Sequence, residues 1–195
     1  MSGISLEESM SVAGVSLSPV TEEDKDDLRI AANAEEIWKW YTFRSDGEYF
    51  DSQFWPGFFE HFNPQKEVHF VVRYKGNVVG ATCLLAIDAH HKRLEIGGTW
   101  YAASARGTLI NPACKFLLMG RAFDWGAQRV EWKTDSNNKR SRAAIEKLRA
   151  KFEGVLRNHM YLHNGRVRDT VYYSMIPEEW PAAKAKLEDR IAALA

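Results

Sequence analysis

The stretch Trp100 to Pro112 carries the residue types and spacing that most directly imply chemistry. An apolar strand pattern ends there, Arg106-Gly107 follow in a loop, and Asn111-Pro112 supply an N-cap residue and a first-turn proline for a helix. A helix start leaves main-chain N–H groups without partners and carries the positive end of the helix dipole. Aimed at one spot, those groups make an anion site, and Arg106 adds a fixed charge suited to phosphate oxygens. Many strand–helix junctions of this form bind nothing, so the residues alone leave both readings open. A second junction lies at Lys133–Leu148, where a strand runs into a polar turn and a basic helix begins. Asn138 and Ser141 stand three apart and share a helical face, although a capped helix with a solvated basic side would look the same. Six histidines (61, 69, 90, 91, 159 and 163) lack the Cys or carboxylate spacing of a metal site, so no metal is expected. His159, beside Arg157, is read as a sheet histidine with its hydrogen bonds met.

The elements that must position these junctions follow from periodicity. Residues 1–10 are small and polar and are expected to be disordered. Val15–Val20 is a strand, and Thr21 caps the acidic run Glu22–Asp27, whose helix continues through Ala34–Tyr41. Asp51–Phe62 is dense in aromatics and is either core or a short broken helix over a pocket. Val68–Tyr74 alternates with period two, Lys75-Gly76-Asn77 turns the chain, and Val78–Ile87 is a nearly continuous apolar strand. Arg93–Ala103 is a strand in which Gly97-Gly98 marks a bulge or a close backbone approach. Helix Asn111–Gly126, strand Gln128–Thr134 and helix Asn138–Ala150 come next. Strands Phe152–Leu162 and Val167–Ile176 meet at the hairpin signal Asn164-Gly165, and residues 178–195 form a terminal amphipathic helix. The fold class is α/β (α+β): one domain over 1–195, with a mixed, mostly antiparallel sheet of about seven strands and helices on both faces.

Composition narrows the class. Hydrophobic residues make up 45% of the 195, with seven Trp, which argues for a packed globule. The formal charge is zero, but residues 1–90 hold 15 acidic and 7 basic side chains, against 11 and 19 in residues 91–195. That asymmetry points to a polyanion partner for the second half or to two solvated faces. Cys83 and Cys114 sit in apolar runs, as small core residues do in a reducing compartment. No signal-peptide pattern opens the chain, and no apolar run approaches the ~20 residues that span a bilayer. A cytoplasmic protein without a membrane partner is the expectation.

Taken together, Glu95–Trp100 leading into Arg106-Gly107-Thr108, the turn Asp135–Ser141, and the strand Arg166–Ser174 resemble the GNAT acetyltransferases, specifically the RimJ/RimL-type ribosomal-protein N-acetyltransferase branch. The resemblance covers roughly residues 15–181. It implies the GNAT fold and acetyl-coenzyme A as cofactor. Thr99, Trp100 and Tyr101 should splay from the neighbouring strand and offer their backbone to pantetheine. The amides of Arg106, Gly107, Thr108, Leu109, Ile110 and Asn111 should hold the pyrophosphate. Asn138 and Ser141 should sit beside the cysteamine end, with Arg140 and Arg142 reaching the nucleotide's phosphates. Two departures stand out: Leu109 occupies a position where glycine is usual, and Ile145 occupies the place of a frequent tyrosine acid, leaving Ser141 as the substitute.

The reaction implied is acetyl transfer to a primary amine, a protein N-terminus or a small amine, by direct attack in a ternary complex. A protein N-terminus, with pKa about 7.7–8.0, needs only a modest base. Glu95 is that base, on a face shared with Gly97 and Thr99; a surface strand carboxylate is its other reading. Glu48, Tyr49, Asp51 and Trp55 would line an entrance for a cationic amine. Three further readings stay open: a non-catalytic coenzyme A sensor, an acetyltransferase for small-molecule or antibiotic amines, and a nucleic-acid-binding module using the nine basic residues of 137–168. Oligomeric state is open as well, a homodimer being the commonest assembly.

Overall fold

A computed structural model describes residues 4–195. Eight strands form one sheet in the order β1-β2-β3-β4-β5-β6-β8-β7. They are β1 (Met10–Val12), β2 (Val15–Pro19), β3 (Val68–Tyr74), β4 (Asn77–Asp88), β5 (Arg93–Tyr101), β6 (Arg129–Asp135), β7 (Lys151–Tyr161) and β8 (Val167–Met175). Only β5 and β6 run parallel, and the crossover between them is α3 (Ile110–Asp124). The other helices are α1 (Lys25–Ala32), α2 (Glu35–Trp38), α4 (Lys139–Glu146) and α5 (Trp180–Ala192).

Period-two alternation in the strands gives the sheet two apolar faces and therefore two cores. On one face Phe70, Val72, Leu84, Leu94 and Ile96 pack with α3 and α5 through Cys114, Leu118, Met119, Leu187 and Ile191. On the other, Val71, Ala81, Cys83 and Trp100 meet Leu28 and Ala32 of α1, Trp38 of α2 and the aromatic segment. That segment forms two short π-helical turns, Phe50–Phe54 and Pro56–Glu60, so it is a broken helix and core at once. Phe54 stacks on Phe58 with ring centres 4.6 Å apart, and Trp38 lies 5.4 Å from Trp100.

Three expectations are corrected. Over residues 4–10 the lead-in is not disordered: Leu6 is buried and Met10 opens β1, because an apolar side chain every few residues suffices to pin a hairpin to β2. The remaining positions, 1–3, lie outside the described residues. The extra strand also raises the sheet from seven strands to eight. Finally, α3 begins at Ile110 with Leu109 as its N-cap, so Asn111 stands in the first turn and does not cap it. There its Oδ1 accepts from the Tyr101 hydroxyl at 3.3 Å, which ties the end of β5 to the start of α3.

Candidate active site

The site is built where β5 and β6 part. Their ladder has three pairs, Arg93–Arg129, Leu94–Val130 and Glu95–Glu131, and none beyond among the described residues. From Ile96 to Tyr101, β5 therefore keeps β4 on one side and presents its other edge to an opening. The β4 side is irregular too: Gly98 and Thr99 stand opposite the single residue Thr82, a bulge that puts Gly98 at φ +58. A Cβ on Gly98 would come within 2.8 Å of Cys83 Sγ, so only glycine fits. Of the two meanings that Gly97-Gly98 carried in the sequence, both hold.

The bulge decides which way Thr99 points. Alternation alone would put Thr99 on the face of Glu95 and Gly97. The extra residue turns its side chain to the α3 face instead, where Thr99 Oγ1 meets Thr82 Oγ1 at 2.7 Å and accepts from Lys115 Nζ at 2.8 Å. From the opposite face the Tyr41 hydroxyl donates to the Thr99 carbonyl at 2.6 Å. Burial raises the Tyr41 pKa, which keeps it a donor. Lys115 is 6% exposed, and burial lowers its pKa to about 8. Trp100 contributes main chain only, since its indole is packed among Trp38 and Phe54. The side chains of Leu109 and Ile110 likewise anchor the loop in the core.

The loop after β5 is shaped by its own side chains. Thr108 Oγ1 donates to the Ala105 carbonyl at 2.8 Å and accepts from the Ile110 amide at 3.3 Å. The Arg106 amide donates to the Ala103 carbonyl at 3.2 Å. Gly107, at φ +77, makes the left-handed step, while Leu109 sits at φ −66, a right-handed helical conformation that any residue adopts. The missing glycine thus costs the loop nothing. The amides of Gly107, Thr108, Leu109 and Asn111 meet no acceptor among the described residues; those of Arg106 and Ile110 are used internally. Four donors at the positive end of a fifteen-residue helix fit a pyrophosphate. The Arg106 guanidinium is held beside them by the Tyr101 carbonyl (Nε, 3.1 Å) and by Glu36 (3.5 Å).

At the second junction Asn138 caps α4, its Oδ1 accepting from the Ser141 amide at 3.1 Å. Arg142 is engaged within the fold, donating to the Tyr173 hydroxyl at 3.2 Å and to the Ser136 carbonyl at 3.3 Å. Arg140 is exposed and near enough to Tyr41 for its charge to be felt there. Ile145 is buried core.

Glu95 occupies the last paired position before the opening and is 5% exposed, so it is not a surface carboxylate. Its Oε2 lies 2.8 Å from Lys133 Nζ on β6. Burial raises its pKa and outweighs the opposing effect of Lys133. The acidic entrance is not assembled. Asp51 is paired with Arg29 (2.7 Å) and Lys25 (3.4 Å), and Trp55 is buried and stacked on Phe59. Tyr49 lies under the Arg44 guanidinium, and Glu48 is exposed. Asp51 and Trp55 lie against α1, where Lys25 and Arg29 neutralise the Asp51 carboxylate. Tyr41 and Lys115 had no motif to announce them, and Lys133 and Arg168 lay within singled-out stretches without a role of their own, for each reaches the site across a distance in sequence that only folding closes.

Residues 15–151 match the family model described as an acetyltransferase (GNAT) domain. The curated protein "Putative ribosomal N-acetyltransferase YdaF" of Bacillus subtilis is 28% identical over 170 residues, covering 83% of this chain and 92% of that protein. A GCN5-related N-acetyltransferase from Brucella melitensis superposes with a TM-score of 0.87 at 27% identity, over 95% of this chain and 86% of that one. Mycobacterium smegmatis RimJ in complex with CoA-disulfide shares the fold with a TM-score of 0.80 at 21% identity, over 94% and 95% of the two chains. A splayed parallel pair, a row of unclaimed amides where β5 passes into α3, and a family match across most of the sequence converge: the chain belongs to the GNAT acetyltransferases, enzymes that draw their acetyl group from acetyl-coenzyme A.

Proposed function

We propose that this enzyme acetylates a primary amine, a protein N-terminus being the favoured acceptor, by direct attack in a ternary complex. The observation that carries the reading is the open edge of β5 leading straight into four amides without acceptors. Acetyl-coenzyme A supplies the activated thioester. The amides of Gly107, Thr108, Leu109 and Asn111 hold the pyrophosphate, with Arg106 beside them. The free edge of β5 orients the pantetheine arm, and the bulge, pinned by Tyr41 and Lys115 from two sides, fixes the main-chain donors next to the acetyl carbonyl. Preorganised donors of this kind act with little reorganisation. Glu95 takes the proton of the attacking amine, its basicity raised by burial. The C–S bond breaks as the amide forms, and coenzyme A leaves as a thiolate that is protonated from solvent. Holding the two reactants together contributes more than the base does.

The likeness to a protein described as a ribosomal N-acetyltransferase supports a protein N-terminus over a free polyamine. Cys83 and Cys114 are buried and unpaired, which supports a reducing, cytoplasmic setting. A homodimer fits edge strand β7, which exposes Phe152, Leu156 and Tyr161 together with its unpaired backbone. No helix among the described residues is long and apolar enough to cross a membrane.

The test is thiol release from acetyl-coenzyme A against a panel of N-terminal peptides and small amines. Glu95→Gln should lower kcat/KM by about 10²–10⁴-fold. Turnover with no acceptor of any class would remove the transferase reading, and an unchanged Glu95→Gln enzyme would remove the base.

A further inference from the structure

Arg168 is a charged group that the proposed mechanism does not use. It lies on β8, is 8% exposed, and has a buried Nε without a hydrogen-bond partner. Among the described residues its guanidinium forms no ion pair within 4.0 Å. Thr170, two residues along β8 and on the same face, pairs with Asp135 of β6. Arg168 therefore lies on the face that carries Asp135, Lys133 and Glu95, and the charges of Asp135 and Glu95 act on it most. The two acids are already taken: Glu95 by Lys133 at 2.8 Å, and Asp135 by Arg166. This part of the sheet therefore gathers three cations around two carboxylates. Glu131, the ladder partner of Glu95, is itself committed to Arg129 at 2.5 Å, and Arg129 is shared with Glu153.

An uncompensated buried charge is normally avoided by losing the proton. Lys115 illustrates that route, with a pKa lowered to about 8 and a hydroxyl to donate to. Arginine has no such escape, because its guanidinium stays protonated throughout the accessible pH range. A largely buried guanidinium whose Nε has no acceptor is retained against its cost only where something else supplies the acceptor. The location names the supplier. Arg168 shares its neighbourhood with the base Glu95 and with Tyr41, which holds the β5 bulge, so the missing acceptor enters beside the attacking amine.

We propose that Arg168 receives a carboxylate carried by the acceptor close to its amine, so that the preferred acceptor is an amino acid or a peptide with an acidic residue near its N-terminus. A planar fork of N–H donors matches a carboxylate in two parallel hydrogen bonds, which sets the distance between that group and the nitrogen to be acetylated. This inference rests on the transferase reading and sharpens it to a substrate class. It also explains why an acidic entrance is not needed: what the site lacks is negative charge, and the acceptor brings it.

The experiment compares matched acceptors with full-length protein: peptides beginning Ser-Glu or Ser-Asp against Ser-Gln or Ser-Asn, and free amino acids against their amides. Wild type should favour the carboxylate member of each pair. Arg168→Gln should reduce that preference, measured as the ratio of kcat/KM values, on the order of tenfold to a hundredfold. Arg168→Lys should recover part of it. The melting temperature of Arg168→Gln should equal or exceed that of wild type, since an unpaired buried charge has been removed. The two acceptor sets separate a side-chain carboxylate from a free α-carboxylate. Equal use of both members by wild type overturns the inference and leaves the transferase standing, as does a change in KM for acetyl-coenzyme A alone. Calorimetric titration of the same peptides into protein saturated with coenzyme A reads the site without turnover. Arg168-dependent binding supports the inference even if no acceptor reacts, and its absence overturns it.

Discussion

The junctions after β5 and after β6 are built alike and do opposite things. Each passes from a sheet strand through a polar turn into a helix, each has an Asn within the first turn or just before it, and each carries arginine. At the second junction the chain consumes its own donors. Asp135 Oδ1 accepts from the Asn137 amide at 2.8 Å, the Asp135 carbonyl from Asn138 at 2.9 Å, and Asn138 Oδ1 from Ser141 at 3.1 Å. At the first, a leucine stands at the N-cap and Thr108 takes only the Ile110 amide, so the amides of Gly107, Thr108, Leu109 and Asn111 stay free. A helix start is a binding site when its cap is left unmade. The good cap stabilises α4, and the poor one keeps α3 available for a phosphate.

That contrast extends one turn deeper. The second turn of α4 turns Ile145 into the core, whereas that of α3 turns in Lys115. Because burial lowers the Lys115 pKa from 10.5 to about 8, the folded protein binds fewer protons than the unfolded chain between those values. Stability then rises with pH: the cost of charged Lys115 is present in full below pH 8 and is relieved as pH climbs toward 10.5. Lys115→Met should flatten this rise and stabilise the fold at neutral pH by on the order of 3 kcal/mol, measured by urea unfolding at pH 7 and pH 10. A wild type whose stability is flat over that interval would show that Lys115 finds a compensating partner.

Gly107→Val tests the first junction itself. A β-branched residue at φ +77 is strained by about 1–3 kcal/mol, so the amide row should distort and coenzyme A affinity, read by calorimetry, should fall tenfold or more. Asn138→Ala is the matching change at the second junction. It should lower stability by about 1 kcal/mol and move coenzyme A affinity by less than about threefold; a larger loss would mean that α4 also reaches the cofactor. Smallest of all is the arginine pair. Arg106→Ala should weaken coenzyme A binding by about threefold, in keeping with a partly exposed charge, while Arg142→Ala should leave it unchanged, its guanidinium being committed to Tyr173 and Ser136.

How much was legible from sequence differs between strands and site. The strand and helix order, the Gly97-Gly98 bulge and the Asn164-Gly165 hairpin were readable because periodicity and turn chemistry are local. The face on which Thr99 points was not, for a single inserted residue reverses the alternation from which a face is inferred. Trp55 was assigned to a substrate entrance and its side chain is core, since an indole satisfies a pocket and a packed interior equally well. Asp51 was assigned to an entrance on its charge, and its partners Lys25 and Arg29 come from a helix that folding alone brings to it.

By itself, the sequence determined the type and order of most elements, and that a loop with Arg106-Gly107 would join a strand to a helix. Tertiary structure decided which of those residues are spent and which are left over. Lys133 answers Glu95, Arg166 answers Asp135 and Asn138 answers its own helix, while four amides where β5 passes into α3 and the Arg168 Nε are among the groups left unanswered. The reason is physical: a hydrogen-bonding group's partner is set by proximity in space, and strand crossings join residues tens of positions apart, so what a group lacks becomes visible only after the chain has closed on itself.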